Sequence, residues 1–243
     1  MRVLRDKFSK DKPGMTDVLK NNPLTGHVTY LLQFLAGRIR RSGSNNRISY
    51  SGTSIFWNTR IKVRGNNNKI NVGMSASLKN LKITIVGNNC NVVIGEKVKF
   101  YEKGELLLEG DETFVKIGEK TTFGAAKLFA GESATGITIG NDCMFSREIS
   151  VHTSDFHSII DLNASERVNP PRNIIIGDHV WVGEGAFIAK GSVIGSGSVV
   201  GYLSYVNGKR FGENVVIAGV PAKALKDNIG WDRRKLPYKK NEQ

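Results

Sequence analysis

The sequence predicts an all-β domain folded as a parallel β-helix, and three observations lead to this prediction. Aliphatic residues recur every six positions without a slip from Ile176 to Val206. Comparable aliphatic segments occur upstream at intervals of 22 or 23 residues, and they begin at Ile70, Val92, Val115 and Ile137. The chain also has 27 glycines against 6 prolines, which is typical of short strands separated by many tight turns. Helices should therefore be few.

Each six-residue repeat has the same internal pattern. Its first residue is aliphatic, its second is often glycine and its fifth is small or β-branched, as in IGDHVW and VGEGAF. Such a hexad can form one short strand and a sharp turn, so three hexads close a triangular coil with the aliphatic side chains inside. Successive coils then lie about 4.8 Å apart and hydrogen-bond through their backbones. The longer upstream intervals indicate coils of three hexads with short excursions at a corner.

The repeat divides the chain into three segments. Residues 1–47 form a basic N-terminal segment in which the apolar stretch Val28–Ile39 is predicted to be a short helix. Residues 48–217 form the β-helix, which a loop at 152–173 interrupts, and residues 218–243 form a C-terminal tail. Because the open end of a β-helix is an unpaired sheet edge, the Val28–Ile39 stretch and the tail after Pro221 are the candidates to cover it.

The formal net charge is +13, and much of it lies near the two ends of the chain. Residues 1–45 contain nine Lys or Arg against three Asp or Glu, and residues 226–243 contain six against three. The rest shows no basic stripe interleaved with aromatic residues, so we expect no nucleic-acid partner. Basic ends fit a polyanionic acceptor, the negative surface of a cytoplasmic leaflet, or simply solvated termini.

Three features predict a cytoplasmic protein, with peripheral association at the inner membrane as the one further option. The first residues, MRVLRDKFSKDKPGM, contain charge but no apolar signal-peptide core. The Val28–Ile39 stretch is too short to span a bilayer. Cys90 and Cys143 lack a paired spacing, so they are predicted to be small buried residues in a reducing compartment.

The six-residue period breaks between Val151 and Ile174, where the chain reads HTSDFHSIIDLNASERVNPPRN. Long insertions in a repetitive domain are where function concentrates. The Asp-x-His step, the Pro-Pro pair, IGDHVWVG and GVPAK follow one another in an order that resembles the O-acetyltransferase branch of the hexapeptide-repeat family. That branch includes maltose and galactoside acetyltransferases and bacterial capsule-modifying enzymes. The resemblance covers about Ile137–Lys226.

The resemblance implies a left-handed β-helix, acetyl-CoA as the acyl donor with no metal required, and a homotrimer with active sites between subunits. His157 matches the family's catalytic histidine, and a neutral imidazole can take the proton of a sugar hydroxyl. Asp155 or Asp161 could orient that imidazole, or either could be an exposed loop acid. Trp181 would project near the loop, or it could be a surface aromatic in a trimer contact. His152 is either the competing base or a coil corner.

The remaining candidate residues would bind the donor and the acceptor. Small residues on the last coils would let the pantetheine arm approach, and basic residues would contact the nucleotide phosphates. The predicted donor-binding residues are Gly185, Ala186, Gly201, Ser204, Lys209, Arg210 and Lys223. The predicted acceptor-binding residues are Asn141, Ser146 and His152. The small residues also match the plain hexad pattern, and the bulky Tyr202 and Tyr205 depart from the family's usual GAGSVVT continuation.

The sequence thus predicts O-acetylation of a carbohydrate acceptor, either a bacterial capsular polysaccharide, with an anionic one preferred, or its sugar precursor. One alternative is N-acylation of a nucleotide-linked amino sugar, although no separate nucleotide-binding segment is evident. Another is a zinc enzyme like the γ-type carbonic anhydrases, which needs a third ligand beside His152 and His157. No histidine occurs between His27 and His152. The third is a non-catalytic β-helix, which would not need the loop.

Overall fold

The computed structural model describes residues 38–237, and all the regular secondary structure in that part of the chain is β-strand. The strands form a left-handed parallel β-helix of about eight coils, so the predicted fold class is confirmed. The Val28–Ile39 stretch lies outside the described residues except for Arg38 and Ile39, which begin the first strand. The β-helix thus begins before position 48.

Each coil contributes one strand to each of three faces, and β9 and β11 each bend around a corner from face 3 to face 1. Face 1 contains β1 (Arg38–Ser42), β4 (Arg60–Arg64), β7 (Leu81–Val86), the later parts of β9 (Lys99–Glu109) and β11 (Thr122–Gly131), β14 (Ile149–His152), β19 (Phe187–Ala189) and β22 (Tyr205–Val206). Face 2 contains β2 (Arg47–Tyr50), β5 (Lys69–Val72), β8 (Asn91–Ile94), β10 (Phe114–Ile117), β12 (Gly136–Ile139), β17 (Ile174–Ile176), β20 (Val193–Ile194) and β23 (Arg210–Phe211). Face 3 contains β3 (Ile55–Trp57), β6 (Ser77–Lys79), the first residues of β9 and β11, β13 (Met144–Phe145), β18 (Trp181–Val182), β21 (Val199–Val200) and β24 (Val216–Gly219).

We call the edge between faces 3 and 1 corner A, the edge between faces 1 and 2 corner B, and the edge between faces 2 and 3 corner C. Three strands lie outside the coils. β15 (Ile160–Asp161) and β16 (Glu166–Arg167) pair as a hairpin within the loop after β14, and β25 (Ala222–Lys226) pairs antiparallel with β24. The tail after Pro221 therefore covers the last edge of face 3, as its position in the sequence predicted.

The core consists of stacked inward side chains along the prism axis. Ile176, Val182 and Ile188, the first three of the predicted hexad positions, are at most 1% exposed, and the later ones are equally buried. On face 3, Phe100, Phe123 and Phe145 stack with ring centroids 4.4 and 4.7 Å apart. Because side chains at one register repeat in every coil, apolar burial is continuous along the prism, and each fully buried side chain contributes roughly 1.5–3 kcal/mol.

The early coils are longer than the late ones because face 1 is wider there. Paired residues are 22 apart between β4 and β7, as in Ile61 and Ile83, but 18 apart between β19 and β22, as in Ile188 and Val206. β7 buries three aliphatic side chains, whereas β22 buries only Val206. The added residues therefore lengthen the strand and widen the core; the short corner excursions predicted from the sequence are not the source of the added length.

Corner B of the early coils is held by a ladder of side chains. The Asn68 Oδ1 accepts a hydrogen bond from the backbone N–H of Cys90 (2.9 Å), and the Asn46 Oδ1 accepts one from that of Asn68 (3.0 Å). Their Nδ2 groups donate to the carbonyls of Gly87 and Gly65. Buried backbone groups at the corner are thereby satisfied from the neighbouring coil. Cys90 and also Cys143 are buried, as predicted.

Candidate active site

The segment that breaks the period leaves the prism at corner B, between β14 on face 1 and β17 on face 2. It contains the β15–β16 hairpin and returns through Pro170 and Pro171. Phe156 has a left-handed backbone (φ 60°), and its ring covers Gly131 so closely that a Cβ there would lie 2.5 Å from the ring. The glycine thus lets the loop fold back onto corner B of the preceding coil.

Asn169 is the centre of the hydrogen-bond network that orders this loop, and its side chain is buried. Its Nδ2 donates to the Asp155 Oδ2 (2.7 Å) and to the backbone carbonyl of His157 (2.8 Å). Its Oδ1 accepts from the backbone N–H of Ile159 (2.8 Å) and from the Arg167 Nε (3.1 Å). One amide therefore joins the chain segment that enters the hairpin to the segment that leaves it.

Two ion pairs attach the loop to the coils below and above it. The Arg167 guanidinium binds Glu132, on the preceding coil, at 2.5 and 2.8 Å, and Ser154 donates to the same carboxylate. The Lys190 Nζ, on the following coil, lies 2.5 Å from the Asp155 Oδ2. The Arg167 hydrogen bond, with that of Ser154, lowers the pKa of Glu132 to about 2. Bidentate, charge-assisted contacts of this kind fix geometry as well as adding stability.

His157 lies on the exposed surface of the loop, and Asn169 holds its backbone. Its imidazole makes no hydrogen bond or ion pair with any residue from 38 to 237. A neutral imidazole with a free ring nitrogen can accept the proton of an incoming hydroxyl. The loop therefore presents an exposed imidazole, and Asn169 and the two ion pairs hold the backbone of the loop in place.

Neither nearby carboxylate hydrogen-bonds this imidazole. Asp155 pairs with Lys190 and Asn169, and the Lys190 hydrogen bond is the main reason that its pKa is lowered. Asp161 accepts the backbone N–H groups of Asn163 (2.8 Å) and Ala164, which lower its pKa and form the hairpin turn. In the structure Asp155 anchors the loop and Asp161 forms the turn, whereas the sequence had left open whether each orients the imidazole or is an exposed loop acid.

His152 ends β14 at corner B and is half-buried among aromatic side chains. Its ring lies 4.8 Å from that of Phe129 and 4.8 Å from that of Phe187. Burial, together with the nearby Lys127, lowers the pKa of His152, and its Nε2 is buried without a partner. This is the coil-corner position that the sequence allowed as the alternative to a competing base.

The other candidate residues fall into groups at different edges of the prism. Trp181 projects from face 3 between Met144 and Val199 in the neighbouring coils and is 37% exposed. The residues at corner A are Ser146, Gly185, Ala186, Gly201 and Ser204. The Ala186 and Ser204 side chains are buried in the prism, so only their backbones could contact a donor molecule.

The predicted basic and polar residues are also separated. Lys209 and Arg210 lie at corner B of the last coil, on the same edge as the loop, whereas Lys223 lies on β25 opposite Ala218. Asn141 lies at corner C, where its Oδ1 accepts the backbone N–H of Glu119 (2.9 Å). Within one chain, His157 and Trp181 therefore lie on opposite parts of the prism, because corner B faces away from face 3.

Comparison with known proteins found no matching family model. The structure is similar to those of two polysialic acid O-acetyltransferases: OatWY, with TM-score 0.73 and 33% identity over 82% of this chain and 92% of that one, and NeuO, with TM-score 0.72 and 32% identity over 82% and 90%. The chain belongs to the polysialic acid O-acetyltransferase family. The predicted membership of the hexapeptide-repeat acetyltransferases is thereby confirmed.

Curated members of the polysialic acid O-acetyltransferase family also match in sequence. The enzyme of Escherichia coli O1:K1 / APEC is 40% identical over 119 residues, and that of Neisseria meningitidis is 36% identical over 120 residues. Each alignment covers 49% of this chain. The chain spans 38% and 55% of the length of these relatives, about half.

In this member of the family, sequence reasoning missed two groups of residues around the site. The first is Asn169, Arg167 and Lys190, whose partners are distant in sequence. The second is the tail, where Trp231 stacks on His179 with ring centroids 4.1 Å apart and lies 6.2 Å from Trp181. In the sequence, the Asn-Pro-Pro step after the hairpin was the one feature that could have indicated the first group.

The tail is fastened along corner C by several contacts. The Trp231 Nε1 donates to the carbonyl of His179 (2.7 Å), and Arg233 binds Asp142 at 3.0 Å and the carbonyl of Cys143 at 2.8 Å. The tail thus runs back over earlier coils and packs beside Trp181. Residues 38–237 include no cluster of three His, Cys, Asp or Glu side chains suited to a metal ion, and no helix there has the length and apolarity to cross a bilayer.

Proposed function

We propose that this chain is an acetyl-CoA-dependent O-acetyltransferase that modifies a capsular polysaccharide. The observation that carries the proposal is the exposed imidazole of His157, held by an ordered loop in a family whose solved members at 33% and 32% identity are named polysialic acid O-acetyltransferases. Polysialic acid is an anionic sugar polymer, so we take it as the model acceptor. Its monomeric precursor is the second acceptor to test.

In the proposed reaction the acceptor hydroxyl attacks the thioester carbonyl carbon of acetyl-CoA while His157 removes the hydroxyl proton. The tetrahedral intermediate then collapses, the carbon–sulfur bond breaks, and the imidazolium returns the proton to the leaving thiolate. Positioned general-base catalysis of this kind contributes about 10²- to 10⁴-fold in rate. Backbone N–H groups of the last coils would stabilise the oxyanion.

We propose a homotrimer in which His157 of one copy and Trp181 of the next share a site. Placing corner C at the threefold axis brings face 2 of one copy against face 3 of its neighbour, so the corner B loop meets the corner A residues of the next chain. The two separated groups of candidate residues then combine. Exposed apolar side chains support this choice of faces: Ile175 projects from face 2, and Trp57 and Tyr101 project from face 3.

In this arrangement the donor would lie in the groove between two prisms. Gly185 and Gly201 would leave room for the pantetheine arm, and Lys223 or the Lys209–Arg210 pair would contact its phosphates. We place the enzyme in the cytoplasm, where acetyl-CoA is available, with peripheral association at the inner membrane as an added possibility to test by fractionation.

The test of the reaction measures thiol release from acetyl-CoA and acetyl mass added to polysialic acid. We expect His157→Ala to lower kcat at least about a hundredfold while the trimer stays folded. The matched control is Leu162→Ala at the exposed tip of the same loop, where the side chain is 90% exposed. Turnover by wild type that His157→Ala retains would refute the mechanism.

The test of the shared site mixes two inactive variants. His157→Ala and Trp181→Ala chains refolded together form trimers in which some sites take His157 from one chain and Trp181 from another. Random mixing in equal amounts restores about one quarter of the sites if the two residues come from different copies. No recovery in trimers shown to be mixed would contradict the shared site.

A further inference from the structure

The charge of the β-helix is divided sharply along its axis. Residues 38–100, which make up the first three coils, contain 12 Lys or Arg and a single acid, Glu96. Residues 101–237 contain 15 Lys or Arg and 17 Asp or Glu. The β-helix therefore has one strongly basic end and one nearly neutral end.

Six of these basic side chains lie on faces 1 and 2 of the first three coils, on either side of corner B, and we call them the basic patch. It consists of Arg47, Arg60, Lys62, Arg64, Lys69 and Lys82, all exposed. Lys82 pairs with Glu105. None of the other five forms an ion pair with a residue between 38 and 237. Neighbouring positions are about 4.8 Å apart across strands and about 7 Å apart along them.

The basic patch and the His157 loop lie on the same side of the prism. One outward register of face 1 runs from Lys62 through Thr84, Leu107 and Phe129 to His152, where the loop begins. Four strand spacings separate its ends, a distance of about 19 Å. In the trimer proposed above, faces 2 and 3 form the contacts, so face 1 stays open to solvent with four residues of the patch. Arg47 and Lys69 begin strands of face 2, at its corner B edge.

We infer that the basic patch is an anchoring surface for a polyanionic acceptor, which it holds while a sugar further along reaches the His157 loop, whose first residue lies about 19 Å from Lys62. The inference rests on the proposed function, since it assigns a second contact to the same acceptor. Like charges crowded on one surface destabilise a fold slightly unless an anion neutralises them. An anionic polymer with repeating charge matches a surface that repeats with every coil.

The experiment compares Lys62→Glu/Arg64→Glu with Lys62→Arg/Arg64→Lys, which changes the same two exposed side chains of face 1 but keeps their charge. Each is assayed with long polysialic acid and with a sialic acid disaccharide, which is too short to span the distance. We expect the patch variant to raise KM for the polymer about tenfold at low salt, with kcat and the disaccharide KM unchanged. The control variant should stay within about twofold, and raising the salt tenfold should remove the difference.

An unchanged polymer KM in the patch variant would overturn the inference, as would an equal rise for the disaccharide or an equal effect in the control. If wild type transfers acetyl to no acceptor, the proposed function fails separately. Fluorescence polarisation of labelled polysialic acid then still tests the patch, with neutral dextran as competitor. Loss of binding only to phosphatidylserine vesicles, with polymer binding retained, would assign the patch to a membrane and refute the inference.

Discussion

Asn169→Ala tests whether the loop is ordered by one buried amide. The substitution removes four hydrogen bonds, to Asp155, His157, Ile159 and Arg167. Hydrogen bonds contribute about 0.5–1.5 kcal/mol each, and those to charged groups about 1.5–3. Because hydrogen bonds to water replace part of this energy once the loop opens, we expect the loop to lose about 2–3 kcal/mol of local stability.

Hydrogen exchange measures this loss at amides that the substitution does not touch. The N–H of Val168 donates to Ile159, and that of Arg172 donates to Thr153. A loss of 2–3 kcal/mol corresponds to exchange about thirty- to 150-fold faster. The prism core is unchanged, so the melting temperature should move by no more than about 2 °C.

The matched control is Asn163→Ala in the turn of the same loop, where the backbone N–H, and not the side chain, makes the hydrogen bond to Asp161. It should leave exchange and turnover near the wild-type values. If Asn169→Ala exchanges like the control and keeps wild-type kcat, the loop does not depend on this amide and the reasoning fails.

Three further outcomes are expected. Because the pKa of Glu132 is lowered to about 2, its contribution is complete above its ordinary value of about 4.5 and is lost as the pH falls from there through 2; NMR shifts of loop amides should show this acid transition in wild type and not in Glu132→Gln. Trp231→Ala, which removes the stack on His179, should speed tryptic cleavage after Arg233 several-fold, whereas Leu162→Ala at the exposed loop tip should not; equal rates would show that the tail is held otherwise. Phe123→Ala should cost about 3–5 kcal/mol in urea unfolding, and a cost below about 1 kcal/mol would mean that the aromatic stack is not tightly packed.

The fold could be predicted because a β-helix repeats a local rule. Inward and outward positions alternate within each strand and recur in each coil, so the burial of Ile176 or Val200 follows from spacing alone. The wider early coils were harder to predict. Extra residues between hexads look the same in sequence whether they lengthen a strand, as in β7, or form a corner loop.

The site was less predictable, because the side chains that pair there are close in space but distant in sequence. The break in the period indicated the loop and His157, but proximity in sequence left open whether Asp155 or Asp161 orients the imidazole or is an exposed loop acid. Lys190, which is 35 residues from Asp155, takes that carboxylate instead. Charge was also misleading when summed along the chain, since strands distant in sequence stack basic residues such as Arg60 and Lys82 side by side.

The asparagine ladder at corner B fixes the number of residues in each early coil of the prism. Asn46 and Asn68 are 22 residues apart, the length of one coil, and each side chain satisfies a backbone group one coil away. Loss of a whole coil would preserve the ladder, whereas loss of a single residue would turn inward side chains outward. The separation between the basic end and the loop can therefore change during evolution only in steps of about 4.8 Å. Family members with different numbers of coils between the basic patch and the loop would then acetylate a polymer at different distances from the patch.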